Sequence, residues 1–261
     1  MNASNTDKGV VYEPLPAPEH RRITVQDPIA WLRSGWGYFS RMRGASLLYG
    51  GVFAGIGMLI TWFGLSNPQF ILTFWSGFLL VGPLLAVGLF RLAQQADRDG
   101  AIQLVTCVKV LRENVGTVAL FVLLMSIVMI AWIGFSTLAV ALYVGNIAGT
   151  ADFVAAIATP EGLGLVAVLF GVGAVFALIM FALTAWSLPM VMDRRAEFGA
   201  ALVISVRTVT EQPSPMLAWA AIVAGLTIVG MLTFFAGFVI IFPWLGYATW
   251  AGYKALFHPR D

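Results

Sequence analysis

The sequence predicts an all-α membrane protein, a six-span helical bundle built as three repeats of an interfacial helix plus a transmembrane hairpin. Three observations lead there. The composition is 59% hydrophobic and 11% charged, whereas soluble domains run at about 45–50% apolar and about 25% charged. Six apolar runs approach the ~20 residues that a helix needs to cross a hydrocarbon core. All 15 Lys and Arg residues fall on one side of that six-run pattern, with none inside a run. By the positive-inside rule that side is cytoplasmic, which puts both chain ends in the cytoplasm.

Residues 1–26 read as a mobile cytoplasmic tail. Pro14, Pro16 and Pro18 alternate there with Leu15 and Ala17, a pattern of extended, unpacked chain. The tail lacks the apolar stretch of a cleavable signal. Residues 27–257 form the membrane domain, and 258–261 a short cytoplasmic end. The apolar runs lie at 45–65, 70–90, 116–143, 162–189, 216–235 and 238–253. The first hairpin turns through Ser66-Asn67-Pro68-Gln69, and the second through Asn146 to Glu161, with Asp152. The continuous stretch 216–253 is too long for one span, so a tight turn is expected at Ala236-Gly237. Splitting it also keeps Lys254 and Arg260 on the basic side.

A cytoplasmic segment of similar design precedes each hairpin. The first, Asp27 to Met42, begins with Asp27-Pro28, a cap followed by Pro at the first helical position. Ile29, Leu32, Trp36 and Phe39 recur along it at helical spacing. The second, about 98–112, has Ala101, Leu104, Val108 and Leu111. The third, about 194–209, has Phe198, Leu202, Val206 and Val209 behind Asp193 as cap. The second span of each hairpin carries a proline: Pro83, Pro189 and Pro243. These are candidates for kinks or for the lining of a path, because proline withdraws one backbone donor. Parallel repeats of this kind relate by an axis along the membrane normal.

Trp31, Arg33, Trp36 and Arg41 are the candidate interfacial anchors, since indole and guanidinium suit the headgroup layer. Holding the bundle at the interface is the plainer role, and recruiting anionic lipid or a partner is the alternative. Gly51 with Gly55, and Gly173 with Ala177, have the spacing of close helix contacts. No cofactor is expected. His20 and His258 both lie outside the apolar runs, and intramembrane haem or copper calls for imidazole there. The lone Cys107 offers neither disulfide nor thiolate metal site and reads as a small apolar residue. No Asp, Glu, Lys or Arg falls within the runs, which disfavours ion coupling and proton relays. Ser126, Ser136, Thr137, Thr184 and Ser187 are the kind that bond back to their own helix. No hydrolytic set converges, and the scattered basic residues form no nucleic-acid patch.

The segment Phe242-Pro243-Trp244-Leu245-Gly246-Tyr247-Ala248-Thr249-Trp250-Ala251-Gly252-Tyr253 resembles the closing motif of the bacterial inner-membrane family of unknown function numbered 2189. Trp31-Leu32-Arg33-Ser34-Gly35-Trp36, running on to Ser46-Leu47-Leu48-Tyr49-Gly50, is similar to that family as well. So is Ser187-Leu188-Pro189-Met190 followed by Asp193-Arg194. The resemblance spans about residues 27–257 and implies a bacterial inner-membrane protein. Members often carry His where this chain has Tyr247 and Ala251, which argues against a shared ligand site there. Some bear the label of a cytochrome c oxidase subunit. With no intramembrane His, this chain would be at most an accessory partner of such a complex.

The expected function is therefore that of a non-enzymatic accessory or scaffold component. Its partners would be the lipid bilayer and a respiratory or other membrane complex, or a second copy of itself. The alternative is a transporter or channel for a neutral or amphipathic solute.

Overall fold

The computed structural model describes residues 21–66, 71–98, 112, 114–143, 159–194 and 196–258. The hairpin turn at Asn67-Pro68-Gln69, nearly all of the second interfacial segment with Cys107, and the loop around Asp152 lie outside the described residues. Within them the chain is helical, and no strand occurs. The helices are α1 (Asp27–Arg41), α2 (Arg43–Ser66), α3 (Ile71–Leu85), α4 (Val87–Asp97) and α5 (Val115–Tyr143). They continue with α6 (Pro160–Thr184), α7 (Ser187–Arg194), α8 (Phe198–Glu211), α9 (Pro213–Leu232) and α10 (Phe238–Phe257).

Five stretches are long and apolar enough to cross a membrane: Arg43–Gly64, Phe74–Asp97, Val115–Tyr143, Gly162–Asp193 and Pro213–Leu232. This is a helical membrane protein. The sixth expected span, α10, is as long as α9 but is not among the five. Thr249, Tyr253 and Lys254 in its second half lower its hydropathy. Its environment compensates, for thirteen of its twenty residues are buried. It runs through the middle of the bundle against α1, α2, α4 and α9. The stretches holding α5 and α6 are each only 11% buried and form the periphery.

Close approach to α10 depends on glycine. Proline at 243 cannot donate to the Val239 carbonyl one turn earlier. The backbone of α2 comes up against that carbonyl at Gly50, where any Cβ would stand 2.1 Å from the oxygen. Such an approach permits a weak Cα–H···O contact. The expected pair Gly51 and Gly55 is corrected here, because space around both is open. The packing glycines of α2 are one and two residues away from them, at Gly50 and Gly57.

The paired helices α3–α4 and α6–α7 are each one span with an interruption. The first break is at Ala86, just after Pro83, and Ala86 N–H still donates to Gly82 O at 2.9 Å. The second is at Ala185-Trp186, just before Pro189. In an unbroken helix Trp186 N–H would donate to Ala182 O. Instead the buried hydroxyl of Ser205, on α8, stands between them. It donates to Ala182 O at 2.7 Å and accepts from Trp186 N–H at 3.3 Å. A side chain inserted into the backbone ladder is a recognised cause of a helix break.

That contact sets which side of α8 is buried. Ala201, Ile204, Ser205 and Thr208 face inward, while Phe198, Leu202, Val206 and Val209 of the apolar stripe are half-buried beside them. In α1 the buried residues are Pro28, Trp31, Gly35 and Phe39; of its apolar stripe Phe39 is buried, while Ile29 and Trp36 are exposed. Neither expected cap forms. Asp27 accepts from Thr24 N–H and Oγ1–H, outside its helix, and the cap position of α8 is Glu197, not Asp193. Residues 21–26, expected in the mobile tail, are tied to the bundle. Arg21 N–H donates to Leu256 O at 3.1 Å, and Ile23 N–H to Gln212 Oε1 at 2.7 Å.

The turn before α10 spans 233–237, as expected. Its strained residues are Phe234 (φ 48°) and Phe235 (φ 69°), left-handed positions that usually favour glycine. Phe235 is fully buried against Trp75, Phe78 and Phe238, and this burial offsets the backbone cost.

Two substitution experiments follow, both read by thermal unfolding of the purified protein in mild detergent. Gly50→Val should cost about 1–3 kcal/mol through overpacking, while Gly51→Val should leave the melting temperature nearly unchanged. Ser205→Ala leaves two buried backbone groups without their hydroxyl and should cost about 1–3 kcal/mol.

Candidate functional site

A cavity of about 480 Å³ lies inside the bundle, within the usual range of about 300–1,000 Å³ for small-molecule sites. Its wall is drawn from α2, α3, α4, α5, α6, α7, α9 and α10, with Leu79, Val128, Ala177, Val223 and Phe242 among the residues that form it. No charged side chain lines it among the described residues. Two of its hydroxyls are spent on their own helices: Thr184 donates to Met180 O at 2.7 Å, and Thr249 to Leu245 O at 2.8 Å. The wall thus offers hydrocarbon and little else.

The helices around this chamber form an incomplete ring. α10 packs on α2, α2 on α3, α3 on α5, α5 on α6, and α9 on α10. Between α6 and α9, which both line the chamber, there is at most marginal contact. Among the described residues the ring is therefore not closed by direct α6–α9 packing, although α8 packs on both helices.

Beyond the chamber lies a polar cluster at one end of the bundle. Asp97, the last residue of α4, accepts from Lys254 Nζ at 2.6 Å, Tyr38 OH at 2.5 Å and Trp250 Nε1 at 3.1 Å. Asp193, near the end of α7, accepts from Gln94 Nε2 at 2.8 Å, and from Tyr253 OH at 3.0 Å. His258 Nε2 stands 2.9 Å from the same carboxylate. Arg91 donates to Gln94 through Nη1, while its buried Nε has no partner among the described residues. A carboxylate at a helix C-terminus opposes the helix dipole, so each acid depends on donors brought by α1 and α10. α10 supplies a donor about once per turn, at Trp250, Tyr253, Lys254 and (with the tautomer that carries the proton on Nε2) His258.

The sequence boundaries had left Arg91, Asp97 and Asp193 outside the spans. The helices run on past the proline breaks and carry these residues with them. The missed signal was the matching of two acids on α4 and α7 to a donor stripe on α10. Pairing over some 60 to 157 positions has no local trace in the sequence.

The other expected site residues divide. Pro83 lines the chamber; Pro189 and Pro243 are buried and stand outside its lining. Arg33, Arg41 and Trp36 are exposed, and Trp36 packs on Phe39 and Trp244. Trp31 is only 3% exposed, so its indole is packed against protein and does not face headgroups. It stands edge-on between Trp186 and Trp219, with ring centroids 5.5 and 5.6 Å away. Tyr247 is fully buried and reaches the Ser46 hydroxyl at 3.1 Å, which gives it a packing role. No three His, Cys, Asp or Glu side chains group as a metal set among the described residues.

The stretch from α3 to α7 supplies both proline breaks, both acids and most of the chamber wall. Residues 70–193 match the family of predicted integral membrane proteins DUF2189. It is the family that the sequence motifs resemble. Of those motifs, only the Ser187-Leu188-Pro189-Met190 stretch lies within the matched residues, and α2, α9 and α10 fall outside the DUF2189 match. No curated protein and no solved structure matches the chain.

The Asp97–Lys254 pair carries a stability prediction. Asp97→Asn and Lys254→Met should each lower the melting temperature in detergent. The double variant should lose less than the sum, with a coupling of roughly 0.5–3 kcal/mol.

Proposed function

We propose that this is a non-enzymatic, six-span component of the bacterial inner membrane that binds, and passes across the bundle, a neutral or amphipathic molecule. The observation that carries the reading is the uncharged intramembrane chamber. A chamber with walls of this kind favours a solute without formal charge, since no ionisable group lines it among the described residues.

In this reading α10 is the sixth span, shielded from lipid by its neighbours, and both chain ends are cytoplasmic. The support is that Lys254 and Asp97 meet at one end of the bundle, where the basic segments are also expected. The threefold repeat survives as a proposal in weaker form. The interruptions near Pro83 and Pro189 correspond, while Pro243 sits inside an unbroken helix.

The test is uptake of a panel of neutral solutes into proteoliposomes. Uptake of one class is expected, with loss in Val223→Trp, which fills the chamber. Ile130→Trp, on an exposed face of α5, should leave it intact. No uptake and no binding across the panel would overturn the proposal.

A second reading is an accessory role in a larger membrane complex. It is favoured by the exposed apolar faces of α5 and α6, where Ile130 and Phe170 are 69% and 77% exposed. Co-purification of a stoichiometric membrane complex in mild detergent would support it over transport.

A further inference from the structure

We infer that the opening between α6 and α9 is a lateral portal through which one acyl chain of a bilayer lipid enters the chamber. The inference rests on the chamber being a ligand site, as proposed above, and adds the occupant and its route.

The first ground is the incomplete ring. Ala177 and Met180 of α6 face Val223 and Thr227 of α9 as chamber lining, yet the two helices do not pack along one another. These residues lie in the middle parts of two membrane-crossing stretches. The medium outside the gap is therefore the hydrocarbon of the bilayer, whose tails stand at that depth. A water-soluble solute would not meet this opening.

The second ground is what holds the gap open. Trp31 of α1 is inserted between Trp186, at the α6–α7 break, and Trp219 of α9. Trp219 also lines the chamber. At this end the α6–α7 break meets α9 through side chains alone: Trp31 stands between the other two indoles, and Trp186 Nε1–H donates to Met216 Sδ of α9 at 3.3 Å. On the charged side, α8 holds the break through Ser205. The portal is thus bordered at that end by buried aromatic packing.

The third ground is chemical. Of the chamber's four hydroxyls, Ser76, Thr184, Thr227 and Thr249, two donate to backbone carbonyls of their own helices, and no charge lines the wall among the described residues. A charged headgroup would lose its hydration there without a counter-charge, at a cost of several kcal/mol. A hydrocarbon chain loses nothing, so the chain enters and its headgroup remains outside.

The experiment uses the full chain in nanodiscs containing a phospholipid with a photoreactive diazirine in its acyl chain. Labelled residues are mapped by mass spectrometry, and a diazirine polyisoprenoid is run in parallel. The expected result is labelling of the segments carrying Ala177, Met180, Val223 and Thr227, several-fold above the exposed α5 face at Ile130. Ala177→Trp, which fills the portal, should remove that excess. Ile179→Trp, on the exposed side of the same helix, should leave it, and both variants should melt close to the parent.

Labelling no greater than at Ile130, or equal loss in both variants, would overturn the portal. Labelling by the polyisoprenoid alone would overturn the acyl chain as occupant. Solute uptake that survives Ala177→Trp without chamber labelling would overturn the portal while leaving the chamber's solute-binding role standing.

Discussion

The structure depends on the enclosure of α10. A twenty-residue helix that carries Thr249, Tyr253 and Lys254 is a poor companion for lipid, and here thirteen of its residues are buried against protein. α1 and α2 cover it at van der Waals contact, and glycine makes that possible. At Gly35 a Cβ would stand 2.7 Å from the Ala248 backbone nitrogen. Once α10 is inside, its donors can reach Asp97 and Asp193, and the ends of α4 and α7 are held against it. The peripheral α5 and α6, each in a stretch of mean hydropathy 2.7 and only 11% buried, are free to face lipid.

A second constraint acts on the backbone. In hydrocarbon a freed carbonyl or amide has no water to turn to. Each irregularity here has its own compensation. At Ala185-Trp186 a serine hydroxyl from α8 takes both orphaned groups. At Pro243 the freed Val239 carbonyl meets the α2 backbone at Gly50. At the 233–237 turn Thr233 Oγ1 donates to Gly230 O and accepts from Gly237 N–H, both at 2.8 Å. α8 therefore does more than lie at an interface, because the α6–α7 span would be incompletely bonded without it.

Membrane class, the helical runs and the turn before α10 were legible in the sequence because they depend on local hydropathy and length. The helix faces were harder to read. In both α1 and α8 an apolar stripe at helical spacing is legible, but most of the buried residues lie one position away from it. The reason is that an interfacial helix has two apolar environments available, protein and lipid. Large aliphatic groups such as Ile29 lose nothing by facing lipid, while small or hydrogen-bonding residues such as Gly35 and Ser205 are needed where backbones approach. Hydropathy cannot distinguish these faces. Gly50 against Gly51 is the same ambiguity at single-residue scale, since only the position of α10 decides which glycine is crowded. The chamber had only a weak trace, at Pro83, because a cavity is a property of what neighbouring helices fail to fill.

That failure has an identifiable cause. If α6 and α9 met along their length, the ring would close and the chamber would be isolated from lipid. The bundle instead spends Trp31, Trp186 and Trp219 at the place where closure would begin. Indoles are poor choices for tight helix contact, because their size keeps backbones apart, and close membrane helix pairs favour Gly, Ala and Ser. The same chain uses glycine wherever α10 must be gripped, so the tryptophans mark a place where separation is built in. Burying three of them at 3% exposure or less also makes the spacer rigid, since large rings in edge contact gain from both area and geometry. A bundle that needed only to be stable could have closed this side with small residues, as it does around α10. The opening is thus better explained as a feature the packing maintains than as a defect it tolerates.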